Sequence, residues 1–299
     1  MWQAYAVGSL VGNALENVID KAAFVRDAHV DDIVATFWRQ IAFFVLTLAV
    51  GIAGWMGPIH FFFSWELFGM CMLTVLSALA YTYMLRHVEV TGIALETYFL
   101  PLVFLIIDVA LIRVSFSATQ IFGIVLLSLG GFAFAYNVHT HRMRREYSLI
   151  VWGIFALWMV HDGVQFYLFK HLNATEGVNE VSFYASAWAI VIAVLFMYVA
   201  ARRRTHRLFS APALKYIPMT AFAKMFDVAA ALMWARALSG AAVSQVAAVG
   251  AMQPVVMLAV AFLVQKETRF NIREHLGRAH LPWKVGGVAL LSLGTFLLT

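Results

Sequence analysis

Polar and ionisable side chains recur at helical spacing inside segments that are otherwise apolar. In the first segment Ser9, Asn13, Glu16, Asn17 and Asp20 are separated by intervals of three or four residues, which place them on one helix face. A charge at the centre of a bilayer costs about 2.5–3.5 kcal/mol on insertion scales, so such a group usually faces a cavity or a partner. The stripe therefore predicts either a hydrated functional cavity or hydrogen bonds to neighbouring helices.

A second stripe repeats this pattern in the later half of the chain. His161 directly precedes a carboxylate, so it is a candidate proton relay, although a histidine that is merely hydrogen-bonded in the core is an equal alternative. Trp158, His161, Asp162 and Gln165 form this stripe. Aligning Lys21 with Lys170 places Asn13 opposite Asp162 and Glu16 opposite Gln165, so we expect both stripes to face a shared axis.

Other candidates lie in three further apolar segments. Lys224 and Asp227 are three residues apart, which allows either an internal ion pair or a pair that faces a cavity. Proline removes an amide donor and so frees a backbone carbonyl within a helix. Glu96, Gln245 and Gln253 lie in the segments that contain Pro101 and Pro254. Tyr81, Tyr98, Trp158 and Trp234 are candidates for an aromatic wall that attracts a cation or for ordinary packing. Asp108 and Arg113 are expected near a membrane interface.

Composition sets the class of protein. Hydrophobic residues make up 63% of the 299 residues and charged residues only 12%, whereas soluble domains are about 25% charged. The single cysteine, Cys71, excludes a disulfide framework or a thiolate cluster. We expect no cofactor, no metal and no enzymatic activity, because neither a ligand set with metal-binding spacing nor a glycine-rich phosphate loop occurs.

The apolar segments predict an all-α integral membrane protein with ten transmembrane helices, since about 20 apolar residues cross the hydrocarbon core. The predicted spans run roughly over Tyr5–Phe24, Ile33–Gly54, Trp65–Leu85, Thr91–Ile112, Thr119–Tyr136, Ser148–Phe169, Ser182–Ala201, Leu214–Ala237, Val243–Val264 and Trp283–Leu298.

An internal repeat divides these segments into two halves. GIVLLSLGGF at 123–132 recurs as GVALLSLGTF at 287–296, and Pro101 and Pro254 occupy corresponding helices. Five helices per half would invert the second half, as in many secondary transporters. We expect one five-helix repeat over 1–137, a basic connecting loop over 138–147, and a second repeat over 148–299.

Basic residues predict the orientation. Sixteen lysines and arginines fall in loops after odd-numbered helices, against three on the other face, so the positive-inside rule places both termini away from the cytoplasm. The net charge of +5 then reflects contact with anionic lipid rather than nucleic acid, since the basic runs lack a base-stacking platform.

With ten predicted helices in two halves that end in similar segments, the chain resembles EamA-type members of the drug/metabolite transporter superfamily over nearly its whole length. Local points of likeness are Asp20 and Lys21 closing the first helix, Arg39, Pro101 and Pro254 within helices, and Glu267 after the ninth. The resemblance implies a substrate site between the halves and alternating access around it.

We therefore expect a multi-pass plasma-membrane carrier, monomeric or homodimeric, for a small-molecule substrate. Acidic groups outnumber basic ones at the expected site, which favours a cationic or zwitterionic solute or proton coupling. A lipid-linked carrier or flippase and a non-transporting membrane scaffold are the alternatives. The expected site comprises Asn13, Glu16, Asn17, Glu96, Asp162, Gln165, Lys224, Asp227, Gln245 and Gln253, with His161 as proton relay.

Overall fold

The structure is a computed structural model that describes residues 1–26, 29–54, 57–88, 96–137, 142–143, 149–264 and 281–298. Most of the predicted connecting loop, and Glu267, lie outside these residues. The described part is helical apart from a two-residue antiparallel pairing of Tyr136–Asn137 with Arg142–Met143. The helices are α1 Trp2–Arg26, α2 Asp32–Ile52, α3 Trp65–His87, α4 Glu96–Ile107, α5 Ala118–Ala135, α6 Leu149–Glu176, α7 Glu180–Ala201, α8 Ala211–Leu238, α9 Val243–Gly250, α10 Gln253–Val264 and α11 Leu281–Leu298.

Five of these helices are long and apolar enough to cross a membrane. They are α2, α3, α6, α7 and α8, with 21 to 28 residues each. At about 1.5 Å rise per residue they span roughly 30–40 Å, which matches the hydrocarbon core of a bilayer. The chain is therefore an α-helical membrane protein.

Side-chain caps fix the start of three of these helices. The side chain of Asp31 accepts a hydrogen bond from the Ile33 amide at 3.0 Å before α2. Ser64 accepts one from the Leu67 amide at 3.1 Å before α3. The Asn179 side chain accepts one from the Ser182 amide at 2.8 Å before α7. Each cap satisfies an amide that has no partner within the helix.

The predicted fourth and ninth spans both depart from a regular α-helix. The ninth, expected as one helix over Val243–Val264, is wrong as a single element, because a turn at residues 251–252 separates α9 from α10. Pro254 has no amide hydrogen, so the carbonyl of Gly250 cannot receive the usual bond from four residues ahead. The described part of the fourth span continues beyond α4 as a π-helical turn over Asp108–Ile112.

The helices pack in pairs that correspond between the two halves. Helix α1 packs on α8 and α6 packs on α3, α2 meets α7, and α5 meets α11. The aligned lysines also make matching contacts. Lys21 donates to the carbonyls of Leu85 at 2.5 Å and Val88 at 2.9 Å, where α3 ends. Lys170 donates to the carbonyl of Ala241 at 2.9 Å, just after α8 ends.

Helices α5 and α11 cross at the repeated decapeptide. A Cβ atom on Gly130 would lie 2.9 Å from the carbonyl oxygen of Gly287. Conversely, a Cβ atom on Gly294 would lie 2.7 Å from the carbonyl oxygen of Gly123. In the repeat, Gly130 aligns with Gly294 and Gly123 aligns with Gly287. The second contact is therefore equivalent to the first, with the roles of α5 and α11 exchanged. Small residues let the two backbones approach this closely.

Replacing Gly294 with alanine should destabilise the protein by about 1–3 kcal/mol, because the new methyl group meets a backbone oxygen that has no room to move. Gly130→Ala should cost a similar amount. The midpoint of thermal unfolding in detergent measures both. Gly286→Ala is the matched control on α11, since nothing lies within 4 Å of its Cβ position; equal effects at positions 286 and 294 would contradict a tight crossing.

Candidate functional site

A central cavity of about 280 Å³ is lined by residues of α1, α2, α3, α4, α6, α7, α8, α9 and α10. It has the volume of about nine water molecules at roughly 30 Å³ each, and it lies at the lower end of the usual range for small-molecule pockets. Its wall contains residues 10–17 of α1 and 158–166 of α6, which are the middle turns of those helices. The size fits a small metabolite.

Most of the residues expected at the site face this cavity. Gln245 does not line it; its Oε1 accepts a hydrogen bond from the Ala242 amide at 3.3 Å, at the start of α9. The side chain of Glu96 lies outside the described residues, while Pro101 is within α4 and Pro254 within α10. The lining residues from the expected set are Asn13, Glu16, Asn17, His161, Asp162, Gln165, Lys224, Asp227 and Gln253.

Arg39 holds two carboxylates of α1. Its Nη2 lies 3.1 Å from Glu16 Oε1 and 2.6 Å from Asp20 Oδ2, and its Nε donates to the same Asp20 oxygen at 2.9 Å. The guanidinium group also lies 4.3 Å from the ring centroid of Tyr81. The side chains of Arg39 and Asp20 are 3% and 0% exposed, so these charges are held away from water.

Lys224 extends this network to α8. Its Nζ lies 2.5 Å from Glu16 Oε1, 2.5 Å from Asp227 Oδ2 and 3.7 Å from Asp20 Oδ2. The spacing of three between Lys224 and Asp227 therefore does produce an ion pair. We call these three carboxylates and two cations, Glu16, Asp20, Arg39, Lys224 and Asp227, the ion cluster.

The carboxylates that remain accessible are Asp162 and Asp227, whose side chains are both 25% exposed. Each uses one oxygen internally: Asp162 Oδ1 lies 2.9 Å from His161 Nδ1, and Asp227 Oδ2 contacts Lys224. The second oxygen of each has no hydrogen-bond partner among the described residues. The side chains of Arg39 and Lys224, by contrast, are 3% and 4% exposed. The charged atoms of the wall that remain free to bind a ligand are thus carboxylate oxygens.

Aromatic rings form much of the remaining wall. Trp158, Trp234 and Tyr81 line it as the sequence pattern allowed, whereas the side chain of Tyr98 lies outside the described residues. The hydroxyl of Tyr81 donates to Asn17 Oδ1 and, at 3.3 Å, to Glu16 Oε2. Phe43, Phe166, Tyr184 and Trp188 complete the aromatic part. Ring faces next to carboxylates favour an organic cation.

Asp108, expected near a membrane interface, is buried within the protein at the start of α9. The residue is 0% exposed, and its Oδ2 accepts hydrogen bonds from the Ser244 amide at 2.8 Å and from the Ser244 hydroxyl at 2.6 Å. It therefore caps the first turn of α9, where the helix dipole favours a negative charge.

Among the described residues, no group of three or more histidine, cysteine, aspartate or glutamate side chains is arranged to hold a metal ion. The arrangement offers instead a pocket with acidic oxygens and ring faces. It suits reversible binding of a small solute.

The chain is similar in fold to a solved protein crystal structure, with a TM-score of 0.70 and 13% sequence identity over 98% of this chain and 95% of that one. At this identity the likeness concerns the fold alone. No protein-family model matches the chain, and no curated protein matches it in sequence.

Replacing Arg39 with methionine should destabilise the protein by about 3–5 kcal/mol, because Glu16 and Asp20 lose a cation while they stay buried. Arg207→Met is the control: its side chain is 52% exposed and it pairs with Asp31, so its loss should cost about 1 kcal/mol or less. Unfolding midpoints in detergent compare the two, and a similar small effect at both positions would argue against a stabilising ion cluster.

Proposed function

We propose that this protein is a secondary transporter of small cationic or zwitterionic metabolites in the cell membrane. The observation that carries the proposal is the central cavity in a membrane-spanning helical bundle, whose accessible charges are carboxylates. The proposed architecture is ten membrane spans in two inverted five-helix repeats, as in the EamA-type carriers that the sequence resembles.

The repeat has support from three independent contacts. Helix pairs correspond between the halves, aligned lysines bind the ends of corresponding helices, and the two glycine contacts at the α5–α11 crossing exchange with one another. Such correspondence is expected when two similar units pack around a pseudo-two-fold axis. In transporters built this way the substrate lies near the midplane between the units.

The charge of the substrate follows from which groups are already occupied. Both cations of the ion cluster lie against carboxylates, so they offer little to an anionic solute. The free oxygens of Asp162 and Asp227 would accept hydrogen bonds from an ammonium group, while the surrounding rings would contact its alkyl substituents. A lipid phosphate would find no free cation on this wall among the described residues, which disfavours a flippase.

Alternating access has a structural candidate in the ion cluster. Within the ion cluster, the ion pairs between the halves all involve Lys224, since Arg39, Glu16 and Asp20 belong to the first half. An ammonium group that binds Asp227 competes with Lys224 for that carboxylate. Both residues lie on α8, so this competition acts within α8. The contact of α8 with α1 depends on the pairs of Lys224 with Glu16 and Asp20, which must break if the two helices are to separate.

A non-transporting scaffold makes a different prediction about water in the cavity. Cysteine placed at Asn13 or Asp162 should react with water-soluble thiol reagents if the cavity opens during transport. The native Cys71 is buried and provides the unreactive background. Unreactive cysteines at both positions would favour the scaffold.

Uptake into proteoliposomes tests the proposal with radiolabelled choline, glycine betaine, putrescine and lysine as probes. Wild type should exchange at least one of them, and Asp227→Asn should slow that exchange about tenfold or more, equivalent to roughly 1.4 kcal/mol of lost interaction. Glu176→Gln, at the exposed end of α6, is the matched control. The proposed function would be contradicted if wild type moved none of the probes or if Asp227→Asn exchanged them as fast as wild type.

A further inference from the structure

A hydrogen-bonded chain of three side chains lies in the cavity wall outside the ion cluster. His161 Nδ1 is 2.9 Å from Asp162 Oδ1, and His161 Nε2 is 2.8 Å from the hydroxyl oxygen of Thr74. That hydroxyl is also 3.1 Å from the carbonyl oxygen of Met70, to which it donates. Thr74 and His161 are 3% and 8% exposed. The chain joins α6 to α3.

Counting hydrogens gives one complete arrangement of this chain. A threonine hydroxyl has a single hydrogen, so when it points to Met70 the Nε2 atom of His161 must carry the hydrogen of the second bond. The contact between Nδ1 and Asp162 then needs a hydrogen of its own. The pair in this arrangement is either imidazolium with carboxylate or imidazole with carboxylic acid, and its net charge is zero.

A second complete arrangement contains one proton fewer. If the Thr74 hydroxyl rotates from Met70 to Nε2, that nitrogen accepts, and Nδ1–H donates to an ionised Asp162. The pair now has a net charge of −1. The Met70 carbonyl can still accept the ordinary helical bond from the Thr74 amide, so rotation leaves no buried polar group without a partner. Gain or loss of the proton thus avoids the usual penalty of an unsatisfied group.

We propose that the His161–Asp162 pair, with Thr74, is a proton-binding site that exchanges one proton for one substrate cation. This proposal rests on the proposed transport function. The cation binds when the pair is at −1 and leaves when the pair returns to zero, because a neutral wall attracts it less. Each cycle moves one positive charge in each direction, so the exchange is electroneutral. The proton comes from the water on the side to which the cavity is open.

The other ionisable groups around the cavity do not have two protonation states that both keep every contact. Glu16, Arg39, Lys224 and Asp227 belong to the ion cluster, where protonation or deprotonation of one member removes an ion pair. Tyr81 donates to Asn17, and the Cys71 thiol donates to the carbonyl of Ala187 at 3.3 Å. The ionisable groups that line the cavity together with the pair are, helix by helix, Glu16 on α1, Arg39 on α2, Tyr81 on α3, Tyr184 on α7, and Lys224 and Asp227 on α8. The side chain of Glu96 on α4 lies outside the described residues.

Nitrogen-15 NMR of histidine-labelled protein in nanodiscs tests the site without any substrate, with the His161→Gln variant identifying the resonance. As pH rises, the Nε2 atom of the His161 ring should lose its hydrogen and leave a single N–H at Nδ1. Thr74→Val should move the midpoint of this change, whereas Thr74→Ser, which keeps the hydroxyl, should leave it in place. An Nε2 atom that stays in one state at every pH at which the protein is folded would overturn the proposal.

Coupling is tested in proteoliposomes with choline, a permanent cation whose quaternary nitrogen cannot be trapped by a pH gradient. Below the titration midpoint of the pair, apparent affinity should fall roughly tenfold per unit of pH, as linkage to one proton requires. An acidic lumen should drive accumulation by wild type. His161→Gln should lose both the pH dependence of the apparent affinity and the accumulation.

The matched control is His171→Gln, the same change at an exposed position of the same helix, and it should behave as wild type. Exchange by wild type without any response to a pH gradient would overturn the proton site and leave the transport function standing. Equal accumulation by His161→Gln and wild type would do the same. Absence of all exchange by wild type would refute the transport function, and the NMR titration would then decide the proton site by itself.

Discussion

Burial of five charges in one ion cluster is the constraint on which the arrangement of α1, α2 and α8 depends. A lone charge at membrane depth costs about 2.5–3.5 kcal/mol on insertion scales, so each must keep a partner. Lys224 meets this condition only where Glu16 and Asp227 both lie 2.5 Å from its ammonium group. Sliding α1 by one turn against α8, about 5.4 Å, would separate Glu16 from Lys224 and leave Lys224 with Asp227, its partner on the same helix. The cluster therefore fixes the register of the three helices.

The same cluster decides what the cavity offers to a solute. Because Arg39 and Lys224 are covered by carboxylates, the positive charges of the wall are already neutralised. What remains within reach of a ligand is one oxygen each on Asp162 and Asp227, framed by aromatic rings. The break between α9 and α10 adds backbone to this wall, since Gly250 has no side chain and lines the cavity with main-chain atoms alone. A Cβ atom at this position would lie 3.1 Å from the Trp234 ring, so a larger residue would require the ring to move by a few tenths of an ångström.

Local periodicity predicted the faces of the helices but not their partners. The stripe through Asn13 and Glu16 could be predicted because residues three and four apart share a helix face. The Lys224–Asp227 pair could be predicted for the same reason. Periodicity did not predict the contacts of Arg39 and Asp108, because their partners are distant in sequence. The partners of Arg39 are 19 to 23 residues away, and those of Asp108 are 135 to 136 residues away. An arginine buried in an apolar helix was the available signal that a carboxylate must approach it. Pro254 located the irregularity in the ninth span, but the choice between a kink and a full break depends on packing by α8.

The two halves use corresponding helix contacts for different chemistry. Glu16 joins α1 to α8 through the ammonium group of Lys224, with three carboxylates and two cations held together. On the corresponding contact, His161 joins α6 to α3 through the hydroxyl of Thr74, a single neutral donor and acceptor. A hydroxyl can exchange its roles by rotating about one bond, whereas an ion cluster can change only by separating charges. The ion cluster is therefore the part of the cavity wall that keeps its charges and contacts together, and the pair of His161 and Thr74 is the part that can change its charge while its contacts persist. The proposed exchange of a cation for a proton would use both parts.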